Sequence, residues 1–415
     1  VNTFSQRCKT AFNIIENSKD IVVRPGERFA MIDGIRGLSL LYVFIFHSML
    51  AMEVLFHDTF EAFIQQAPVY FQWVLMGDMS VDAFFVLSGF LIAQLLFKEH
   101  KKTGRINLKR FYLRRWLRLT PAYYSSIVLY LIIMPDFELI YAGVYALYLN
   151  NFLDNQHNYM AFAWSLAVEE QFYIIFSLFL VLGFYKIKHK LSVLLALFAL
   201  SFLVRGLLLF FNPDLLLTGD ILLTHPHGIG DKYWEVIYDN LYTRYGAIIV
   251  GVILGYLYVY QWQKVEQFMT VKSSNLLFLL ALAMLLYMWR VPLYTGDALP
   301  QWLLYLFHAA YRNIFSICIA ILILISFFDL GLGRIVNAFL SLRILFPFSQ
   351  LSYSAYLLHM PIILAVAFIL KGVGLIQEPT FANVFLVFAC SMLPIFLLSA
   401  LAFIFIERPF MKLRN

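Results

Sequence analysis

Asp33-Gly34-Ile35-Arg36-Gly37-Leu38, followed after a largely apolar run by Phe46-His47, opens the first bilayer-length segment of this 415-residue chain. Eleven residues on a helix are about three turns, so Arg36 and His47 share one face, about 16 Å apart along the axis. If the segment spans the membrane, the guanidinium lies at one surface and the imidazole near the midplane. Ionisable groups at that depth are costly and mark a pathway or a reaction centre. Arg36 alone reads as an interfacial anchor, and His47 alone as a hydrogen-bonded packing residue. On one face together they favour chemistry, because a partly desolvated neutral imidazole is a ready general base.

The rest of the chain supports a membrane setting. It is 62% hydrophobic and 13% charged, where a soluble protein carries about a quarter charged residues. The expected fold is all-α, a polytopic membrane helix bundle of about ten transmembrane helices. The apolar segments fall roughly at 37–55, 70–97, 119–135, 164–185, 191–211, 244–260, 275–291, 311–328, 347–370 and 384–406. The piece 137–149 is too short to count with them and reads as re-entrant, interfacial or an eleventh span. Lys98, Lys101, Lys102, Arg105, Lys109, Arg110, Arg114, Arg115 and Arg118 fill one connection. Lys186, Lys188 and Lys190, Arg334 and Arg343, and Arg408, Lys412 and Arg414 fall on the same side in a ten-span count. By the positive-inside rule both termini are cytoplasmic. The layout is a cytoplasmic segment over 1–30, a transmembrane domain over 31–410 and a tail over 411–415.

The net charge of +6 reflects this cation topology, not a nucleic-acid partner. Cys8, Cys318 and Cys390 are too far apart for a disulfide framework or a thiolate metal site. His225-Pro226-His227, near Asp231, reads as a polar surface loop in preference to a metal site.

Several polar residues fall inside or at the ends of the expected spans. Asp82, in Ser80-Val81-Asp82-Ala83-Phe84-Phe85, either caps a helix or orients a His or pairs with an Arg. Trp164-Ser165-Leu166-Ala167-Val168-Glu169-Glu170 opens a span with two adjacent carboxylates about 100° apart. Glu169 shares a face with Ser165 and Tyr173 and is the one expected to point inward. Arg244 reads as an interfacial cation or as a charge partner for Glu169 or Asp82. Ser352, Tyr356 and His359 lie on one face at i, i+4 and i+7, and fit a polar cavity lining or interhelix hydrogen bonding. The cations of 98–118, interleaved with Phe111, Tyr112 and Trp116, suit lipid headgroups or a phosphate-bearing ligand.

In combination these motifs are specific. The Arg36 to His47 pattern is followed by Val81-Asp82-Ala83-Phe84-Phe85-Val86-Leu87-Ser88-Gly89-Phe90-Leu91-Ile92 and by Arg110-Phe111-Tyr112-Leu113-Arg114-Arg115-Trp116-Leu117-Arg118. Then come Trp164 to Phe172, Leu351-Ser352-Tyr353-Ser354-Ala355-Tyr356-Leu357-Leu358-His359 and Glu407-Arg408-Pro409. The chain resembles the acyltransferase-3 family of integral membrane acyltransferases, whose best-known members O-acetylate bacterial surface polysaccharides. The resemblance runs from about residue 28 to Phe410. It implies a multi-pass protein of the bacterial inner membrane that takes an acyl group from acetyl-CoA, or another acyl-CoA, in the cytoplasm. The acceptor would be a hydroxyl of an extracytoplasmic glycan or lipid-linked sugar. It implies catalytic roles for His47 and Arg36, with Asp82 and Glu169, and coenzyme A contacts from Arg36, Arg110, Arg114, Arg115 and Arg118. Trp164, Arg244, Ser352, Tyr356 and His359 would line the acceptor side or the cavity. No metal is expected. Ser80, Ala167 and Leu358 depart from the family's usual residues, and no acid follows Arg244-Tyr245-Gly246; these changes leave the acceptor open. The rival reading is a proton-coupled transporter that uses the midplane His. Within the enzyme class, a small-molecule acceptor or a succinyl donor also fits.

Overall fold

The structure, a computed structural model, describes residues 10–26, 29–215, 232–290 and 300–413. His225, His227 and Asp231 lie outside the described residues. Ten long helices appear among the described residues: α1 Ala30–Leu55, α2 Ser80–Thr103, α3 Leu108–Ile133, α4 Trp164–Leu182, α5 Lys190–Phe211, α6 Leu241–Tyr260, α7 Val271–Arg290, α8 Gln301–Ser326, α9 Leu345–Gly372 and α10 Phe381–Ala402. They follow the ten expected spans one for one, and no strand occurs among the described residues. Nine segments there are long and apolar enough to cross a bilayer. The exception is α3. It is 26 residues long, but Lys109, Arg110, Arg114, Arg115 and Arg118 occupy its first half.

That exception changes the picture of the basic stretch. It is not a loop over 98–118. Lys98 to Thr103 still belong to α2, which ends at Gly104 with φ +71°. Asn107 then accepts the Arg110 backbone N–H at 3.0 Å and starts α3. Arg and Lys are good helix formers, so once capped the helix runs through the cations into the apolar half. Most of the cations are therefore held on rigid helix ends. The piece 137–149 contains a helix of 8 residues, Leu139–Ala146. That is about 12 Å of helix against a hydrocarbon core of about 30 Å, so it is no eleventh span.

The chain divides into two compact units. The first gathers Val1–Phe56, Asn107–Leu147 and Leu340–Asn415, hence α1, α3, α9 and α10. Here α9 packs along α1 and α10. A Cβ on Gly34 would overlap the Leu340 backbone, so this motif glycine lets the two chain segments touch. The second unit gathers His57–Ile106 and Tyr148–Phe339, hence α2 and α4 to α8, with α6 packed most closely on α2. There a Cβ on Gly89 would overlap the Ile248 carbonyl, and one on Gly251 the Val86 carbonyl. Small residues at a helix crossing let backbones approach and supply the packing that drives association in lipid.

Gly89→Val is expected to force α2 and α6 apart and cost about 1–3 kcal/mol or more. Gly143→Ala, inside the helix Leu139–Ala146 where a Cβ would meet nothing within 4 Å, is expected to raise stability by up to about 1 kcal/mol. Thermal unfolding of the detergent-solubilised protein checks both. A Gly89→Val variant melting with the wild type would refute the close crossing.

Candidate active site

In the first unit, α1 and α9 bring His47 and His359 together. His359 Nε2 lies 3.1 Å from His47 Nδ1, with ring centroids 4.8 Å apart. Residues 312 apart in sequence thus share one hydrogen bond. His359 is fully buried, stacks on Phe44 at 5.0 Å and lies against Tyr356 at 5.4 Å. His47 is half-buried, with its ring turned to the helix pair.

The proton positions follow from the partners. His359 Nδ1 is 2.7 Å from the Tyr356 carbonyl, which only accepts, so Nδ1 carries the hydrogen. Neutral His359 then presents a lone pair at Nε2. Facing it, His47 Nδ1 is also 3.0 Å from the Val43 carbonyl, so this nitrogen carries its ring's hydrogen. The one N–H is shared between Val43 and His359. His47 Nε2 is left as the basic nitrogen. The tautomer of His47 is therefore set by a carbonyl one turn back and by a second imidazole.

Lower on the same unit, a charged cluster surrounds Glu407. This carboxylate is 5% exposed and accepts from Ser354 Oγ at 2.8 Å. Arg118, Arg36 and Arg408 lie within its electrostatic reach. Asp33, three residues before Arg36, accepts from Ser349 Oγ at 3.0 Å and pairs with Arg24 at 3.4 Å. Along α3, Arg110 is exposed, while Arg114, Arg115 and Arg118 are half-buried. Arg114 Nε is sequestered and has no hydrogen-bond partner. Ser352 is half-buried and Tyr356 buried on the His359 face of α9.

The second unit holds a separate polar centre. Asp82 Oδ2 accepts from Arg312 at 2.9 Å, and Asp82 Oδ1 is 3.3 Å from Arg244. Arg312 also pairs with Asp78. Arg244 lies over Trp164 at 4.7 Å and Tyr238 at 4.8 Å, and Arg312 lies over Tyr238 at 4.7 Å and Tyr311 at 4.9 Å. Two cations and two carboxylates balance, and the aromatic faces take up the remaining field. Of the open alternatives for Asp82 and Arg244, pairing with each other is the one found. Glu169 meets hydroxyls instead: Ser88 Oγ donates at 2.8 Å and Tyr173 Oη at 2.6 Å.

Arg312 was not singled out by sequence reasoning. The apolar window starts at 311, which makes Arg312 look like an entrance residue. The helix starts at Gln301, and that sets Arg312 about three turns inside. Arg205 on α5 is a second such cation; it is 1% exposed and donates to the His308 carbonyl at 3.0 and 3.2 Å. Glu407 was legible only as part of a motif. Among the described residues no group of three or more His, Cys, Asp or Glu converges on a metal position.

A family model described as an acyltransferase domain (Acyl_transf_3) matches residues 29–403. The O-acetyltransferase OatA of Staphylococcus aureus (strain NCTC 8325 / PS 47) is 28% identical over 367 residues, covering 82% of this chain and 54% of that protein. A putative O-acetyltransferase, SACOL0978, of Staphylococcus aureus (strain COL) is 29% identical over 246 residues, covering 55% of this chain and 34% of that protein. The chain thus spans about half the length of OatA and a third of SACOL0978. No solved structure matches.

Proposed function

Since the chain belongs to the acyltransferase-3 family, we propose that it is a multi-pass membrane O-acyltransferase with both termini cytoplasmic. It moves an acyl group, acetyl first among the candidates, from cytoplasmic acyl-coenzyme A to a hydroxyl of an extracytoplasmic glycan in the bacterial cell envelope. The observation that carries this reading is the ordered imidazole pair. His47 is half-buried, its Nδ1 hydrogen is held by Val43 and His359, and its Nε2 is free to act as base.

In the proposed step, His47 Nε2 takes the proton of the acceptor hydroxyl as that oxygen attacks the thioester carbonyl carbon. The carbon–oxygen bond forms, the carbon–sulfur bond breaks, and the coenzyme A thiolate leaves and takes the proton from the imidazolium. The coenzyme A phosphates suit the cations of α3. Arg114 supports this directly, because its sequestered Nε lacks a partner that an anion would supply. Arg110, Arg115 and Arg118 extend the same basic surface, and Arg36 stands about 16 Å of helix below His47. Asp82 and Glu169 act in this scheme as positioning groups. Asp82 fixes Arg244 and Arg312 under Trp164 and Tyr238, and Glu169 ties α4 to α2 through Ser88. Ser352 and Tyr356 line the His359 side.

The test uses proteoliposomes holding a glycan fraction inside and acetyl-coenzyme A labelled in the acetyl group outside. Label is expected to appear on the enclosed glycan, with one free coenzyme A thiol released per acetyl transferred. Label-free glycan together with proton-driven solute uptake would replace the enzyme with a transporter.

A further inference from the structure

Within the second unit, the connections leading into α4 and α6 enclose a cavity of about 250 Å³. Asn151, Phe152, Asp154, Glu235, Asn240 and Tyr242 form most of its wall, and among the described residues no lining side chain is cationic. Both connections lie on the cation-poor side that the positive-inside rule assigns to the exterior.

The floor is built in advance of any ligand. Asn151 is 2% exposed and Asn240 is 3% exposed. Gln171, from the motif that opens α4, donates Nε2 to Asn151 Oδ1 at 2.7 Å and to the Tyr148 carbonyl at 2.8 Å. The second bond secures Tyr148 at φ +56°, a conformation few non-glycine residues keep without support. Asn240 Nδ2 donates to the Glu235 carbonyl, which fixes the amide and leaves Oδ1 buried with no hydrogen-bond partner. A buried acceptor without a donor is unfavourable, and a ligand N–H or O–H would satisfy it. Asp154 Oδ1 is taken by His157, whose backbone N–H donates at 3.1 Å and whose Nδ1 lies at 2.5 Å. The Asp154 and Glu235 carboxylates lie at the mouth, beside the exposed rings of Phe152 and Tyr242.

Acceptors dominate this lining, so it suits a ligand rich in O–H and N–H donors with an apolar face to set on an aromatic ring. It is unsuited to phosphate, pyrophosphate or a uronic acid, which would meet two carboxylates and, among the described lining residues, no cation. The size fits one ring; drug-sized ligands need about 300–1,000 Å³. We propose that this cavity is a subsite for an uncharged sugar ring of the acyl acceptor, held by Asn240, Asp154 and Glu235 against Phe152 or Tyr242. The assignment rests on the acyltransferase reading and narrows its acceptor to a glycan that contains a neutral or N-acetylated residue.

The test is binding without any acyl donor, by saturation-transfer NMR on the full chain in nanodiscs. The probes are the neutral chitotetraose, cellotetraose and mannotetraose and the anionic tetragalacturonate. At least one neutral probe is expected to bind saturably, and tetragalacturonate is not. Asn240→Leu is expected to weaken that binding at least tenfold, and the surface changes Glu235→Gln and Tyr242→Ala severalfold each. Failure of all neutral probes, preference for tetragalacturonate, indifference to all three substitutions, or displacement of the sugar by calcium at equal occupancy would each overturn the subsite. Because no donor is present, loss of binding is read separately from loss of turnover. Sugar binding without thioester consumption would remove the enzymatic reading while leaving the subsite.

Discussion

His47→Ala is expected to lower acyl transfer by about 10²–10⁴-fold while acyl-coenzyme A still binds. The size follows from what is lost. Without Nε2 the imidazole assigned to take the hydroxyl proton is gone, and an unactivated alcohol is a poor nucleophile toward a thioester. Binding survives because the proposed donor contacts, on α3 and at Arg36, do not involve the imidazole. Isothermal titration with a non-hydrolysable acetyl-coenzyme A analogue measures the first quantity, and labelled transfer in proteoliposomes the second. His359→Phe separates base from orienter. It keeps the ring stacked on Phe44 but removes the lone pair that accepts from His47 Nδ1. Val43 still holds that hydrogen, so about fivefold is the expected loss, the scale of one hydrogen bond of about 1 kcal/mol. His359→Gln restores an acceptor and is expected to recover part of it. Near wild-type transfer by His47→Ala would end the general-base assignment, whatever the His359 variants do.

The long apolar runs made the helix count legible, because each run exceeded what a soluble core helix needs. Helix ends were less legible where polar residues continue a helix. Cations made the start of α3 look like a loop; for α8 the expected span begins at 311 and leaves out its first turns, although 301–310 is itself mostly apolar. The ionisable residues of the site stood out singly, since a His or Asp inside an apolar span is conspicuous by its cost. Their pairings did not. His47 meets His359 across 312 residues and Asp82 meets Arg312 across 230. Nothing local encodes such contacts; they follow from which helix faces pack together. Asp82 illustrates the gap. Its sequence leaves open a cap, a His or an Arg as partner, and in its own unit it pairs with Arg312 and Arg244, while the acceptors for His47 are Val43 and His359.

Removing Asp82 is expected to be the most damaging single change to stability. Arg244 and Arg312 are 1% and 3% exposed, and Asp82 touches both. In Asp82→Leu, Arg312 keeps its pair with Asp78 while Arg244 loses the carboxylate it is ion-paired with, in a medium that solvates a guanidinium poorly. Breaking one side of a buried ion network costs about 3–5 kcal/mol. Arg312→Leu is expected to cost a similar amount with the opposite sign of surplus charge, because Asp78 then loses its bridge and Asp82 keeps only the 3.3 Å contact to Arg244. The decisive comparison is the double variant Asp82→Leu/Arg244→Leu. It removes one charge of each sign and leaves the Asp78–Arg312 pair intact, so its loss should be smaller than the sum of the two single losses by at least 1 kcal/mol, within the range of coupling between contacting residues. The cation–π contacts of Arg244 with Trp164 and Tyr238 are lost in that variant, which is why full recovery is not expected. Unfolding free energies from SDS titration in bicelles supply all four corners of the cycle. Strict additivity would mean that the charges do not compensate one another, and the cluster would then have to be held by its aromatic faces alone.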